Sequence, residues 1–348
     1  MSETWRPPRD LVAGALAVTA AFAVGAALIA AVGADPVKAY AALFEAALGS
    51  RNGIAETLLR AIPLTLCGLG VAIAFRAGVF NVGGEGQLYV GGVAAASIGI
   101  VGAGWPAALV LPTMAGAAML AGGFWSGVAA WMKRRFHADE LITTIMLNYI
   151  AIDFVAYLLH GPLKDPRSAL AQTARLPDAA RLPTLLAGTR LHAGVLVALG
   201  AVALAHVFLW RRVNGFRLRV VGLNPRAAEN AGVDVPRAIW TGFLACGALS
   251  GLAGFTEVSG VQRRMIENLS PGYGYAAIMV ALLGATQPLA VLAAAILFAA
   301  LQIGATTMES AAGAPSALTT VIQALVVLFL IGRSAASRLR ESFARRRG

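Results

Sequence analysis

Ten apolar runs, most of them close to the length that crosses a bilayer and some short or broken, the eighth above all, recur along this chain and leave little room for any other architecture. Their approximate limits are 11–33, 57–76, 86–104, 106–132, 140–160, 193–210, 237–258, 274–287, 289–308 and 316–332. A hydrocarbon core takes about 20 residues of helix. Inside lipid, backbone polar groups must be satisfied within their own segment, so such runs fold as helices. With 58% hydrophobic and 13% charged residues, a water-soluble chain would show more apolar surface than solubility tolerates. Ala, Gly, Leu and Val dominate, and small residues let helices approach closely in lipid. The chain is expected to be an all-α membrane protein of about ten transmembrane helices. It reads as one membrane domain over 1–348, embedded over about 11–332.

The net charge of +11 does not point to nucleic acid, because the Lys and Arg residues cluster at the ends of apolar runs. With the N-terminus inside, 18 of them fall on the inner side and 10 on the outer. That bias predicts N-in and C-in, as an even span count requires. The basic tail over 333–348 suits an anionic inner-leaflet surface. Cys67 and Cys246 both lie in apolar runs, with no metal-ligand spacing and no expected disulfide. The first run has no A-x-A cleavage site after a short apolar stretch and is expected to remain as an anchor.

Three segments stand outside the runs. Residues 35–60 read as an outside amphipathic segment, and 161–192, with prolines and charges of both signs, as an external loop. Residues 211–237 form an inside loop too patterned for a mere connector. Ten spans divide into five and five, which permits an inverted repeat, although the halves show no convincing self-similarity.

The stretch FNVGGEGQLYVGG, Phe80 to Gly92, sets Asn81, Glu85, Gln87 and five glycines between two apolar runs. Each glycine costs a helix about 1 kcal/mol relative to Ala, so Gly83, Gly84 and Gly86 together should break or loosen it. Broken backbone at membrane depth survives only when buried in protein or lining a wet cavity. The stretch is either such a site or a plain cytoplasmic turn. In HADELITTIMLNYIAIDF, Glu140, Thr144 and Asn148 recur every fourth residue as one polar stripe. Asn148 lies about 12 Å along the helix from Glu140, near mid-bilayer. The stripe faces either a path or another helix. Asp153 lies on a different face and is expected to be paired or neutral.

In the inside loop, LNPRAAENAGVDVPR starts with Asn-Pro, continues through a helix-favouring RAAENA and stops at Gly232. A compact helix between two turns would make a docking knob for a cytoplasmic partner, or a basic surface touching lipid. In ALSGLAGFTEVSG, Gly247, Gly251 and Gly254 form a close-packing face. Glu257 lies near the outer end, facing a path or solvent. SPGYGYAAIMVALLG reads as a re-entrant or broken helix. Phosphate-binding G-x-x-x-x-G-K-[ST], H-E-x-x-H and G-x-S-x-G are all absent, which argues against an ATPase or a membrane enzyme.

Taken together, FRAGVFNVGGEGQLYVGG, DELITTIMLNYIA, VVGLNPRAAENAGVDV and SGLAGFTEVSG resemble permease subunits of bacterial ABC importers. They are similar to the branched-chain amino acid and simple-sugar permease superfamily, in its nucleoside-type branch. The resemblance runs from about Asp35 to the last span. It implies type II ABC importer permease architecture, a second permease subunit, identical or homologous, and an extracytoplasmic substrate-binding protein. It also implies a separate ATP-binding subunit that holds ATP and Mg, so this chain would bind no cofactor and be no enzyme. By the same resemblance Asn81, Glu85, Gln87, Thr144 and Asn148 would line the translocation path. Gly222, Asn224, Pro225, Arg226, Ala228 and Gly232 would couple to the ATPase. The cargo would be a small polar solute, a nucleoside first, with a simple sugar, vitamin or branched-chain amino acid as alternatives. The expected location is the bacterial inner membrane. A proton-coupled transporter acting alone through Glu85 or Asp153 is the rival mechanism.

Overall fold

A computed structural model describes residues 7–329 and 332, with side chains described from residue 16 onward. The tail expected over 333–348 lies outside the described residues. Among those residues the regular structure is helical, apart from two isolated β-bridges, Gln172–Ile266 and Thr184–His192. The chain divides into two compact units, one of residues 1–57 with 297–348 and one of 58–296.

The first unit contains α1 (Pro7–Ala31), α2 (Pro36–Leu48) and a C-terminal helix, α13 (Ala317–Phe329). It also holds the start of α3 (Arg51–Arg76) and most of α12 (Pro288–Ala312). The described part of α1 and α2 meet at 119°. Gly33 takes φ +82° in the turn, and Asp35 caps α2 by accepting from the Val37 amide at 2.8 Å, with Pro36 at the first helical position. α2 buries Ala39, Leu43 and Ala47, one side of a helix, and Leu43 packs with Ile29, Leu301 and Met308. The outside amphipathic segment expected over 35–60 is therefore two things. Its first half is a helix with a buried face, and its second half opens α3, six residues before the expected start at 57. The reason is that Arg51 and Arg60 sit within one continuous helix, where charge alone does not end it.

The second unit contains α4 (Gly84–Val101), α5 (Ala107–Phe136), α6 (Glu140–His160), α7 (Gly194–Arg211), α8 (Val213–Leu223), α9 (Pro225–Asn230), α10 (Val235–Thr256) and α11 (Tyr273–Leu283). α10 lies between α4 and α5 at backbone contact. A Cβ on Gly251 would fall 2.1 Å from the Ala118 oxygen of α5, and one on Gly91 of α4 would fall 2.4 Å from the Gly251 Cα. The close-packing face read at Gly247, Gly251 and Gly254 is thus a contact with two helices at once. α10 continues into a π-helical turn over Glu257–Gln262, a local widening that frequently marks functional positions.

Every expected apolar run carries a helix. α3, α5, α6, α7, α10 with its π turn, and α12 are each long and apolar enough to cross a membrane, and the bent α1–α2 pair would make a seventh. α11 and α13 are shorter apolar helices.

The 161–192 segment is irregular except for the 3₁₀ turn Asp178–Ala180. At its end His192 is buried against Gly260, and its Nδ1 accepts the Gly194 amide at 3.1 Å. The ring proton is then on Nε2, which has no partner. Burial, and secondarily Arg263, pushes this imidazole from the ordinary 6.5 down to about 4. A folded value below the ordinary one means that the unfolded chain binds more protons between those two pH values. The stabilisation is full above 6.5 and is lost as pH falls toward 4. It amounts to on the order of 3 kcal/mol. His192→Gln is expected to flatten the acid-side fall of the melting temperature in that window. An unchanged slope would show that other groups set it.

Candidate functional site

The break between α3 and α4 creates the site. α3 ends at Arg76, Gly78 turns the chain with φ +73°, and helix resumes at Gly84. Buried in protein, the backbone polar groups of the break would be orphaned without side-chain partners. Side chains from α6 and from the break itself satisfy them. Thr144 Oγ1 accepts from the Val82 amide at 3.2 Å. Asn148 Oδ1 accepts from the Gly86 amide at 2.8 Å, while its Nδ2 donates to the Val82 carbonyl at 3.0 Å. Asn81 Oδ1 accepts from the Gly83 amide at 2.8 Å and from Gln87 Nε2 at 3.1 Å. Asn81 Nδ2 donates to Ser126 on α5, which passes a hydrogen bond to the Phe243 carbonyl on α10 at 2.6 Å.

The structure therefore brings Asn81, Glu85, Gln87, Thr144 and Asn148 together, all of them buried. Thr144 and Asn148 reach the break from α6, while Asn81 holds Gln87 and bonds across to α5. Glu85 faces the other way, where its Oε2 accepts from the Gly274 amide at 2.7 Å, at the start of α11. A carboxylate suits the positive end of a helix. Backbones touch here too, since a Cβ on Gly274 would fall 2.1 Å from the Glu85 nitrogen.

One sequence expectation changes its physical meaning. Gly84 and Gly86 do not break a helix, because both lie in the first turn of α4. They are close-approach positions. A Cβ on Gly86 would fall 2.9 Å from the Asn148 Cα, and one on Gly84 would sit 3.5 Å from the Gly274 Cα. The non-helical stretch lies ahead of them, at 77–83.

Glu257 is buried in the π turn. Ser126, Gly274 and Tyr275 also contribute, and sequence reasoning did not select them. Their contacts join positions far apart in the chain, such as Asn148 with Tyr275, and leave no local signature. Asp153 was expected to be paired or neutral. It is exposed on α6 between exposed Tyr149 and Tyr157, and no ion-pair partner occurs among the described residues.

The segment over 211–237, expected as an inside loop, folds largely as α8 followed by α9. Asn224 caps α9, accepting from the Ala227 amide at 3.1 Å, with Pro225 first in the helix. Ala228 buries against Val221 and Ala238, Arg226 is exposed, and Gly232 closes the turn with φ +77°. Gly222 meets the end of α3, where its Cβ would fall 2.2 Å from the Arg76 oxygen. The compact helix expected over RAAENA is α9, and α8 is an addition that the sequence reading left as loop.

A family model described as "Branched-chain amino acid transport system / permease component" matches residues 53–331. The chain belongs to this permease family. It is similar to the glucose ABC transporter permease protein TsgB13 of Haloferax volcanii, at 40% identity over 94% of this chain and 89% of the relative. It is 36% identical to the guanosine ABC transporter permease protein NupP of Bacillus subtilis, over 90% of this chain and 91% of that one. It is 30% identical to the nucleoside ABC transporter permease protein NupB of Lactococcus lactis, over 92% and 91%. No solved structure matches the chain. The protein is a multi-pass membrane permease subunit of an ABC importer, a transport component rather than an enzyme.

Proposed function

We propose that this subunit forms half of the translocation path for a nucleoside in an ATP-driven importer of the bacterial cytoplasmic membrane. The observation that carries this reading is the α3–α4 break, which is buried within the helices, lined by amides and anchored through Glu85 to α11. Similarity to the guanosine and nucleoside permeases supports the cargo. The glucose permease relative favours a second reading, a hexose through the same path. Both solutes present hydroxyl groups, which amide and carboxylate side chains can bind weakly enough to release. The architecture is type II, with ten spans and both termini inside. Its partners are an ATP-binding subunit carrying ATP and Mg, a second permease subunit and an extracytoplasmic binding protein.

Asn81, Glu85, Gln87, Thr144 and Asn148 border the path in this reading. Their burial describes a closed state, and opening would part α4 from α11 at the Glu85–Gly274 contact. Gly222, Asn224, Pro225, Arg226, Ala228 and Gly232 form the coupling knob. Gly222 bears on the end of α3 and so connects the knob to the break. Gly222→Val is expected to lift the knob and uncouple the machine, with ATP hydrolysis retained while uptake falls about tenfold, a loss of about 1.4 kcal/mol of coupling. Equal loss of both activities would instead indicate misassembly.

The deciding experiment is reconstitution with the neighbouring ATPase, permease and binding protein, comparing ATP-dependent uptake of labelled guanosine and glucose. Uptake that needs ATP and the binding protein is expected. Uptake by this chain alone, lost when the proton gradient collapses, would overturn the ABC mechanism.

A further inference from the structure

Two arginines stack on one indole at the end of α7. The Arg219 guanidinium lies 4.2 Å from the Trp210 ring centroid and the Arg76 guanidinium 5.3 Å from it. The cluster is all donors. Arg76 Nε, Arg219 Nε and Trp210 Nε1 are buried without a partner, and the hydrogen bond that Arg76 makes goes to the Ala285 carbonyl at 3.2 Å. Neither guanidinium pairs with a carboxylate among the described residues. Two like charges at a membrane boundary, with unsatisfied N–H groups and no acid, make a site that is incomplete without an anion. Both side chains are half-buried, so the site can be reached from outside.

The surroundings identify the kind of anion. α7 is a peripheral span, with only 33% of its apolar window buried and Leu204 and Val207 exposed. α8 then presents exposed Val213, Phe216 and Leu223 alongside Arg217 and Arg219. Apolar side chains interleaved with arginines just beyond a span are the pattern of a helix lying in the headgroup layer. A shallow cavity of about 290 Å³ lies on the same corner, between Phe208, Arg212, Val213 and Asn214. No acidic residue occurs between Asp178 and Glu229.

We propose that the α7–α8 corner binds the phosphate of an anionic phospholipid, held by Arg76 and Arg219 with Trp210 at the headgroup level. A guanidinium fork matches phosphate oxygens two at a time. Basic pockets between spans recognise anionic headgroups in this way. The site would tie the start of the coupling knob and the end of α3 to the bilayer surface.

The test is native mass spectrometry of the delipidated full chain, titrated with phosphatidylglycerol and with phosphatidylcholine. The wild type is expected to retain phosphatidylglycerol preferentially. Arg76→Gln with Arg219→Gln should weaken that retention about thirtyfold, at about 1 kcal/mol per arginine. Trp210→Phe keeps the ring and removes the N–H, and should weaken it about fivefold. Arg217→Gln, exposed on the same helix but outside the stack, should leave it unchanged and guards against a general charge effect. Equal retention of both lipids, or a double variant that binds like the wild type in a monodisperse preparation, overturns the proposal. Displacement of phosphatidylglycerol by equimolar inorganic phosphate would make this a phosphate site with no lipid specificity. If Arg219→Glu dissociates the ATPase subunit while lipid retention stays intact, the anion is an acidic side chain of that partner and the lipid assignment falls.

Discussion

Gly251→Val is expected to abolish recovery of folded protein, the largest single effect in the second unit. Gly251 is a contact point for three helices. On one side its Cβ position lies 2.1 Å from the Ala118 oxygen and 3.3 Å from the Gly122 Cα, and on the other its Cα faces Gly91. The obstacles are backbone atoms, so no rotamer change relieves the clash, and α4, α5 and α10 would have to move apart. Overpacking of a dense core costs about 1–3 kcal/mol when side chains can adjust, and more when they cannot. The gain in helix propensity on leaving glycine is only about 1 kcal/mol and does not offset that. Gly251→Ala should already be destabilised by about 3 kcal/mol. Gly116, in α5, has nothing within 4 Å of its Cβ position. Gly116→Ala should therefore be neutral or slightly stabilised. Size-exclusion profiles and thermal melts in detergent give the answer. A Gly251→Val protein with wild-type yield and melting temperature would mean that the three helices do not meet as closely as this.

Much of this arrangement could be read from the sequence, and the reasons are physical. Lipid imposes helix on any apolar run of sufficient length, so the helices at each run were legible from composition and length alone. The α9 helix was legible because its signals are local: Asn224 as cap, Pro225 at the start and Gly232 at the stop. Asn81, Glu85, Gln87, Thr144 and Asn148 stood out as polar residues where polarity is costly, and the structure gathers them at one break. The direction each one faces was not legible. Glu85 turns toward Gly274, 189 residues away along the chain, and no spacing within α4 encodes that choice. The role of Gly84 and Gly86 was misread for a related reason. Glycine is required both where backbone leaves the helix and where another backbone comes close, and sequence alone cannot separate the two needs. α2 was not legible as a packed helix because Ala39 and Leu43 find part of their cover in Leu301 and Met308 of α12, an element distant in sequence.

The buried network also separates two roles that residue type alone would merge. Asn148→Ala is expected to fail in assembly before it fails in transport. Removing the amide leaves the Gly86 N–H and the Val82 carbonyl buried without partners. Each orphaned group costs about 1–3 kcal/mol, so the loss is about 2–6 kcal/mol, enough to lower the melting temperature sharply. Asn148→Asp keeps the acceptor for Gly86 and loses the donor to the Val82 carbonyl and the Tyr275 hydroxyl, so it should fall between the wild type and Asn148→Ala. Glu85→Gln is the contrasting case. Its amide oxygen can still accept from the Gly274 N–H, and assembly should survive. The carboxylate at the α4–α11 contact is gone, however, and if that contact borders the path, ATP-dependent uptake should drop about tenfold or more, at least 1.4 kcal/mol in the rate. Measuring melting temperature and uptake on the same preparations resolves the pair. A stable Asn148→Ala protein that cannot transport would make Asn148 a path residue rather than a brace for the break. A Glu85→Gln protein with normal uptake would remove Glu85 from the path and leave it as an anchor for the start of α11.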